Sequence, residues 1–237
     1  MPSIYLPFAA CSCSDRDVAS VTSGILKQPT RLIWHTDTDI GDCDVIFVPG
    51  GFSYGDYLRC GAIARFAPVM RSLQEHAAKG KYILGICNGF QILTESGLLQ
   101  GALVRNRDLH FICDRAPLRV ERNDLAFTQK YQKQQIITLP IAHGEGCYFA
   151  DADILKELED NNQVVFRYCD VIGNITNDAN PNGSLDNIAG ICNKQGNVLG
   201  MMPHPERAAE GILGGTDGKA LFEGLVEVLV EGLLVNA

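Results

Sequence analysis

The sequence predicts an α/β fold in which a mainly parallel sheet is flanked by helices. Three observations carry that prediction. Short apolar runs end in Gly or Pro, the stretches after them have helical periodicity, and the two patterns alternate along the chain.

Each element can be justified in turn. "DVIFVPGG" (44–51) is a continuous apolar run ending in Pro-Gly-Gly, as expected of a buried parallel strand that enters a loop. "RFAPVMRSLQEHAAKG" (65–80) sets apolar residues at helical spacing before a glycine stop. "KYILGI" (81–86) reads as a second buried strand, and "NGFQILTESG" (88–97) as a short helix closing on glycine. Segments around 115–142 and 163–176 alternate or are β-branched, which predicts strands and hairpins. "NDANPNGSLDN" (177–187) has the composition of an exposed loop. "GNVLGMMPHPE" (196–206) reads as a turn, a short strand and a proline-punctuated end. "DGKALFEGLVEVLVEGLL" (217–234) is an amphipathic closing helix, and "SIYLPFAA" near the start can form an edge or a central strand. No linker divides the chain, so residues 1–237 are expected to form one domain with a sizeable core.

Composition narrows the partners. A net charge of −8 argues against a nucleic-acid partner, because phosphate binding rests on clustered Lys and Arg. No apolar run approaches the roughly 20 residues of a membrane span, and the first residues have no basic leader ahead of an apolar stretch. The nine cysteines are scattered without C-x-x-C spacing, so neither a zinc site nor a disulfide framework is expected. Reduced thiols in a cytoplasmic protein are the economical reading.

One cysteine needs more than packing to explain it. Gly85-Ile86-Cys87-Asn88-Gly89 has the small-x-nucleophile-x-small pattern of a strand turning sharply into a helix. Such a turn exposes the sulfur at the carboxyl edge of a sheet and at a helix N-terminus, where partial positive charge favours thiolate. A buried cysteine at an ordinary turn matches the same letters about as well. Two further stretches tip the balance. His204 and Glu206, two apart on a segment expected to be extended, can point the same way, so the carboxylate orients an imidazole that faces a thiol. Gly50 and Gly51, after a strand, can bring a backbone N–H toward a substrate carbonyl beside the N–H of Asn88, the makings of an oxyanion hole.

These stretches resemble class I, triad-type glutamine amidotransferase domains. The marks are "WHTDT" (34–38), "VPGGFSYGDYLRCGAIARF" (48–66), "GICNGFQIL" (85–93), "GALVRN" (101–106), "IAHGEG" (141–146) and "NVLGMMPHPERA" (197–208). Within that class, "GGFSYGDYLRCGAIA" is similar to the glutaminase subunits of phosphoribosylformylglycinamidine synthases. The resemblance implies a flavodoxin-like sheet with Cys87 as nucleophile, His204 as base and then acid, and Glu206 as its orienter. It also implies oxyanion donors at Gly51 and Asn88, and glutamine-binding positions at Gly50, Gln91, His143, Gly144 and Glu145, the last meeting the substrate's ammonium group. No metal and no cofactor are expected on this chain. ATP and Mg would belong to an ATP-dependent synthetase partner, joined by a small accessory subunit. In place of the Pro-Gly-Ser-Asn-Cys-Asp usual in the family stands "ACSCSD" (10–15), and Cys147 replaces a polar amide.

Two alternatives stand beside this reading. A free-standing hydrolase is one, either a γ-glutamyl hydrolase or a cysteine α/β-hydrolase. The latter would place its acid between nucleophile and His, whereas here the acid comes last. A non-catalytic regulatory relative is the other, and an intact Cys87, His204 and Glu206 count against it.

Overall fold

The computed structural model describes residues 4–8, 14–56 and 58–235. Among the described residues eleven strands are formed: β1 Ile4–Phe8, β2 Thr30–Trp34, β3 Val45–Val48, β4 Tyr82–Ile86, β5 Ala102–Val104, β6 Ile112–Val120, β7 Ile136–His143, β8 Cys147–Phe149, β9 Val164–Tyr168, β10 Ile188–Cys192 and β11 Val198–Met201. Nine of them make one sheet in the order β2-β1-β3-β4-β11-β10-β9-β6-β7, while β5 and β8 pair separately. From β2 to β11 all pairings are parallel, and from β11 to β7 all are antiparallel. The parallel half is the one read from the strand–helix alternation. The antiparallel half is the continuation expected from the hairpin patterns, with β6 and β7 as its hairpin. β1 takes the central place of its two possibilities, between β2 and β3.

The helices are α1 Asp15–Ala19, which runs on as a π-type turn to Ile25, then α2 Val69–Ala78, α3 Asn88–Glu95, α4 Ala152–Asp160 and α5 Lys219–Val235. α2 starts later than the periodicity of 65–80 predicts. Pro68 is the reason: it is preset for the first turn of a helix and cannot continue one begun earlier. α3 packs against β3, β4 and β11, and α5 lays Phe222 on Phe47 of β3 with ring centroids 5.4 Å apart. All residues of β3, β10 and β11 are buried, which explains why β3 reads as an unbroken apolar run. Strands β2, β5, β8 and β10 and helices α1 and α4 are elements the sequence patterns did not reveal.

The loop 177–187 departs from expectation. Asn180, Asn182, Ser184 and Asn187 are buried rather than exposed. Their side chains hydrogen-bond to backbone and to the Tyr168 hydroxyl, so Asn here does the work of buried scaffolding. Composition alone cannot separate this from a solvated turn, because the same amide serves both.

Candidate active site

The carboxyl ends of β3, β4 and β11 lie side by side, and the loops leaving them converge. Cys87 sits between β4 and α3 with φ 52° and ψ −106°, a backbone conformation rare for a residue with a side chain. Such geometry costs on the order of 1–3 kcal/mol and persists only where its surroundings enforce it. Here the Cys87 N–H donates to Met201 O at 2.8 Å, and its carbonyl accepts from Gln91 N–H at 3.2 Å. The two glycines are required by close approach. A Cβ on Gly85 would lie 2.8 Å from the carbonyl of Gly89, and one on Gly89 would fall on the carbonyl oxygen of Val48. The small-x-Cys-x-small spacing is therefore a steric necessity of this turn. Cys87 Sγ lies 3.6 Å from Ala142 O and is nearly buried.

His204 follows β11, its N–H anchored to Pro140 O of the edge strand β7 at 2.8 Å. Glu206 does not stand on an extended segment. Pro205 opens a 3₁₀ turn, Pro205–Ala208, and the turn rather than a strand brings the carboxylate round. The pairing is made all the same: His204 Nδ1 and Glu206 Oε1 are 2.6 Å apart, with both side chains buried. Burial alone would push the imidazole's pKa down. The Glu206 carboxylate, and after it the Cys87 sulfur, overcome that and lift it to about 10. The Glu206 carboxylate thus favours the charged ring, and His204 Nε2 is buried without a hydrogen-bond partner among the described residues. Arg207 secures the turn from outside through Asp17 at 3.1 Å and Ser14 Oγ at 2.8 Å.

Gly50 lies against this pair. A Cβ on it would stand 2.8 Å from His204 Cε1 and 3.4 Å from Cys87 Cβ, so only glycine lets this loop approach. Gly51 comes next, and Asn88 is the first residue of α3, one of the positions whose N–H has no partner within a helix. Of the "ACSCSD" departure, residues 10–13 lie outside the described residues. Ser14 is described, and its N–H donates to Gly50 O at 3.1 Å.

The proposed glutamine-binding residues are gathered at the same place, but their side chains are tied to one another. Asn88 Oδ1 accepts from the Ser53 N–H at 3.2 Å and from its hydroxyl. Asn88 Nδ2 donates to Gln91 Oε1 at 2.8 Å, and Gln91 Nε2 donates to Glu145 O at 2.5 Å. The Glu145 carboxylate accepts from the Cys60 N–H at 3.1 Å and lies 3.8 Å from Arg105. Gly144 offers its carbonyl to Asn106 N–H at 2.9 Å. His143 is buried, with Nδ1 3.1 Å from Asn106 Oδ1. Sequence reasoning missed Ser53 and Asn106. Both stand inside quoted motifs, but their partners are tens of residues away. Among the described residues no group of three His, Cys, Asp or Glu is gathered as a metal-ligand set, and no helix is long and apolar enough to cross a membrane.

The chain is similar to known proteins over most of its length. The model of the CobB/CobQ-like glutamine amidotransferase domain matches residues 9–215. The chain is 66% identical over 225 residues to the phosphoribosylformylglycinamidine synthase subunit PurQ of Acaryochloris marina, covering 95% of both chains. It is also 66% identical over 215 residues to the PurQ subunit of Synechocystis sp., covering 91% of this chain and 96% of that one. Among solved structures, that of PurLQS from Thermotoga maritima matches with a TM-score of 0.86 at 41% identity. The match covers 96% of this chain and 99% of that one.

Proposed function

The chain belongs to the family of CobB/CobQ-like glutamine amidotransferases, and from that premise we propose that it is the ammonia-producing subunit of a phosphoribosylformylglycinamidine synthase. Cys87 Sγ, its proton passed to His204 as base, attacks the carboxamide carbon of glutamine as thiolate. The developing oxyanion meets the N–H groups of Gly51 and Asn88, each such donor lowering the barrier by about 3–4 kcal/mol. The imidazolium of His204 gives its proton to the departing nitrogen, and ammonia leaves a γ-glutamyl thioester on Cys87. Water, deprotonated by the now neutral His204, then releases glutamate and leaves the Cys87 thiolate beside the His204 imidazolium, the pair with which the cycle began. The observation that carries this reading is the buried His204–Glu206 pair, 2.6 Å apart, whose charge is coupled to a cysteine in an enforced left-handed turn.

The ammonia is consumed elsewhere. An ATP-dependent synthetase subunit takes it to convert formylglycinamide ribonucleotide into the amidine, with ATP and Mg on that partner and a small accessory subunit completing the assembly. The likeness to PurLQS supports such a three-part enzyme. The absence of a G-x-x-x-x-G-K-[ST] loop from the sequence fits the division of labour, which takes place in the cytoplasm.

The test is Cys87→Ala, assembled with its synthetase. Glutamine-dependent product should disappear, while product formed from added ammonium salt is retained. Loss of both activities in a folded complex, or continued use of glutamine, would refute Cys87 as the ammonia-releasing nucleophile.

A further inference from the structure

Asn106 follows β5 and is buried against the backbone of residues 143–146. Its Nδ2 donates to the carbonyls of His110 and of His143, each at 2.8 Å. Two carbonyl partners fix the orientation of the amide, because an oxygen turned that way would face two acceptors. Oδ1 therefore faces the Gly146 N–H at 3.0 Å and His143 Nδ1 at 3.1 Å. Since an amide oxygen only accepts, His143 Nδ1 must carry a proton. In the neutral ring the lone pair then lies on Nε2, which is buried and without a hydrogen-bond partner among the described residues. The carbonyl of the preceding residue, Ala142, is the one in contact with Cys87 Sγ.

We propose that Asn106 is a positioning residue for glutamine turnover: it clamps residues 143–146, next to the Ala142 carbonyl that touches Cys87 Sγ, and holds His143 in its Nδ1–H tautomer with the buried Nε2 unprotonated. This rests on the reading of Cys87 as the nucleophile. Burial, and then the charge of His204, push the His143 pKa down to about 4, in keeping with a neutral ring. The neutral form matters because a second imidazolium would oppose the charge that His204 must carry. A buried acceptor left unpaired is costly, and the chemistry that relieves it is an N–H donor. Glutamine's carboxamide and the ammonia formed from it both supply one.

Asn106→Asp keeps the shape of the side chain but removes the donor to two carbonyls and puts a negative charge on His143 Nδ1. In the assembled synthetase we expect glutamine-dependent kcat/KM to fall on the order of 100-fold, the size of effect that slight misplacement of reacting groups produces. Product from ammonium salt should be unchanged. Proton–nitrogen correlation spectra should show His143 charged at neutral pH in this variant. In the unaltered chain they should show the neutral Nδ1–H tautomer, a reading that requires no variant to fold. A neutral ring protonated at Nε2 in the unaltered chain would overturn the proposal. So would a variant within about threefold of the parent in kcat/KM, or an equal loss of ammonia-dependent product. If Cys87→Ala still used glutamine while the tautomer proved correct, the functional reading would fail and the tautomer assignment would stand.

Discussion

Glu206→Gln is the substitution that isolates what the buried carboxylate does. It preserves the side chain's size and one oxygen, and removes a charge from a site closed to solvent, the two side chains being 3% and 0% exposed, with Arg207 Nε 3.9 Å from the same carboxylate oxygen. With Nδ1 and Oε1 at 2.6 Å, the delocalised charges of ring and carboxylate are centred about 4 Å apart. At an effective dielectric of about 20 that separation is worth about 4 kcal/mol, or about three powers of ten in rate. The amide can present either end to Nδ1; both orientations lose the charge, and one also forces the wrong tautomer. We therefore expect kcat/KM for glutamate release to fall about a thousandfold, while product from ammonium salt persists in the same complex.

The pH dependence follows from the same pair. His204 is raised above its ordinary value of 6.5 to about 10. A group raised on folding contributes stability that is fully present below its unfolded pKa and is lost as pH rises through the folded one. The parent's advantage over Glu206→Gln in unfolding free energy should therefore be greatest below about pH 6.5 and shrink toward pH 10. In the variant burial prevails, so the imidazolium is lost at lower pH and the alkaline limb of the rate profile moves acidward. A variant within about tenfold of the parent, or one whose ammonia-dependent activity falls equally, would refute the electrostatic role of Glu206.

Two more outcomes are expected. A glutamine-mimicking electrophile should label Cys87 first, since burial pushes Cys43 up to about 12, Cys169 and Cys192 up to about 11, and Cys60 and Cys147 upward as well; mass-spectrometric mapping that finds exposed Cys113 modified and Cys87 intact would count against the elbow. Gly89→Ala should cost about 3 kcal/mol or more, because the new methyl meets the Val48 carbonyl rather than a yielding side chain, and a calorimetric midpoint should drop by several degrees.

What the sequence disclosed and what it withheld differ for physical reasons. Cys87 was legible because the elbow's signature is local: Gly85, Cys87 and Gly89 fall within five consecutive residues, even though the carbonyl that excludes a Cβ at Gly89 belongs to Val48. His204 and Glu206 were legible as a pair but not in conformation, since Pro205 turns an expected extended segment into a 3₁₀ turn that still joins them. Parallel strands β3 and β4 announced themselves by burial on both faces, whereas β2, with Arg31, Leu32 and Trp34 exposed, offered no comparable run. Asn106 and the asparagines of 177–187 were illegible because their partners are set by tertiary contact. A polar residue whose neighbours are assembled from distant strands looks, in sequence, like any surface residue.

Those hidden amides explain how three loops from separate strands hold one geometry. Ser53 belongs to the glycine loop after β3, Asn88 and Gln91 to the helix after the elbow, and Glu145 to the loop after β7. The bonds from Ser53 to Asn88, Asn88 to Gln91 and Gln91 to the Glu145 carbonyl run through all three in sequence. Every link in that chain is a neutral amide, hydroxyl or carbonyl, and none titrates over the range in which enzymes work. In the proposed turnover cycle the charge changes fall instead on Cys87 and His204, which are not members of that chain of bonds. The scaffold can therefore keep the proposed oxyanion donors and the elbow fixed while, in that cycle, the proton on His204 comes and goes. That is the condition for donors to act as preorganised dipoles, with no reorganisation needed as charge develops.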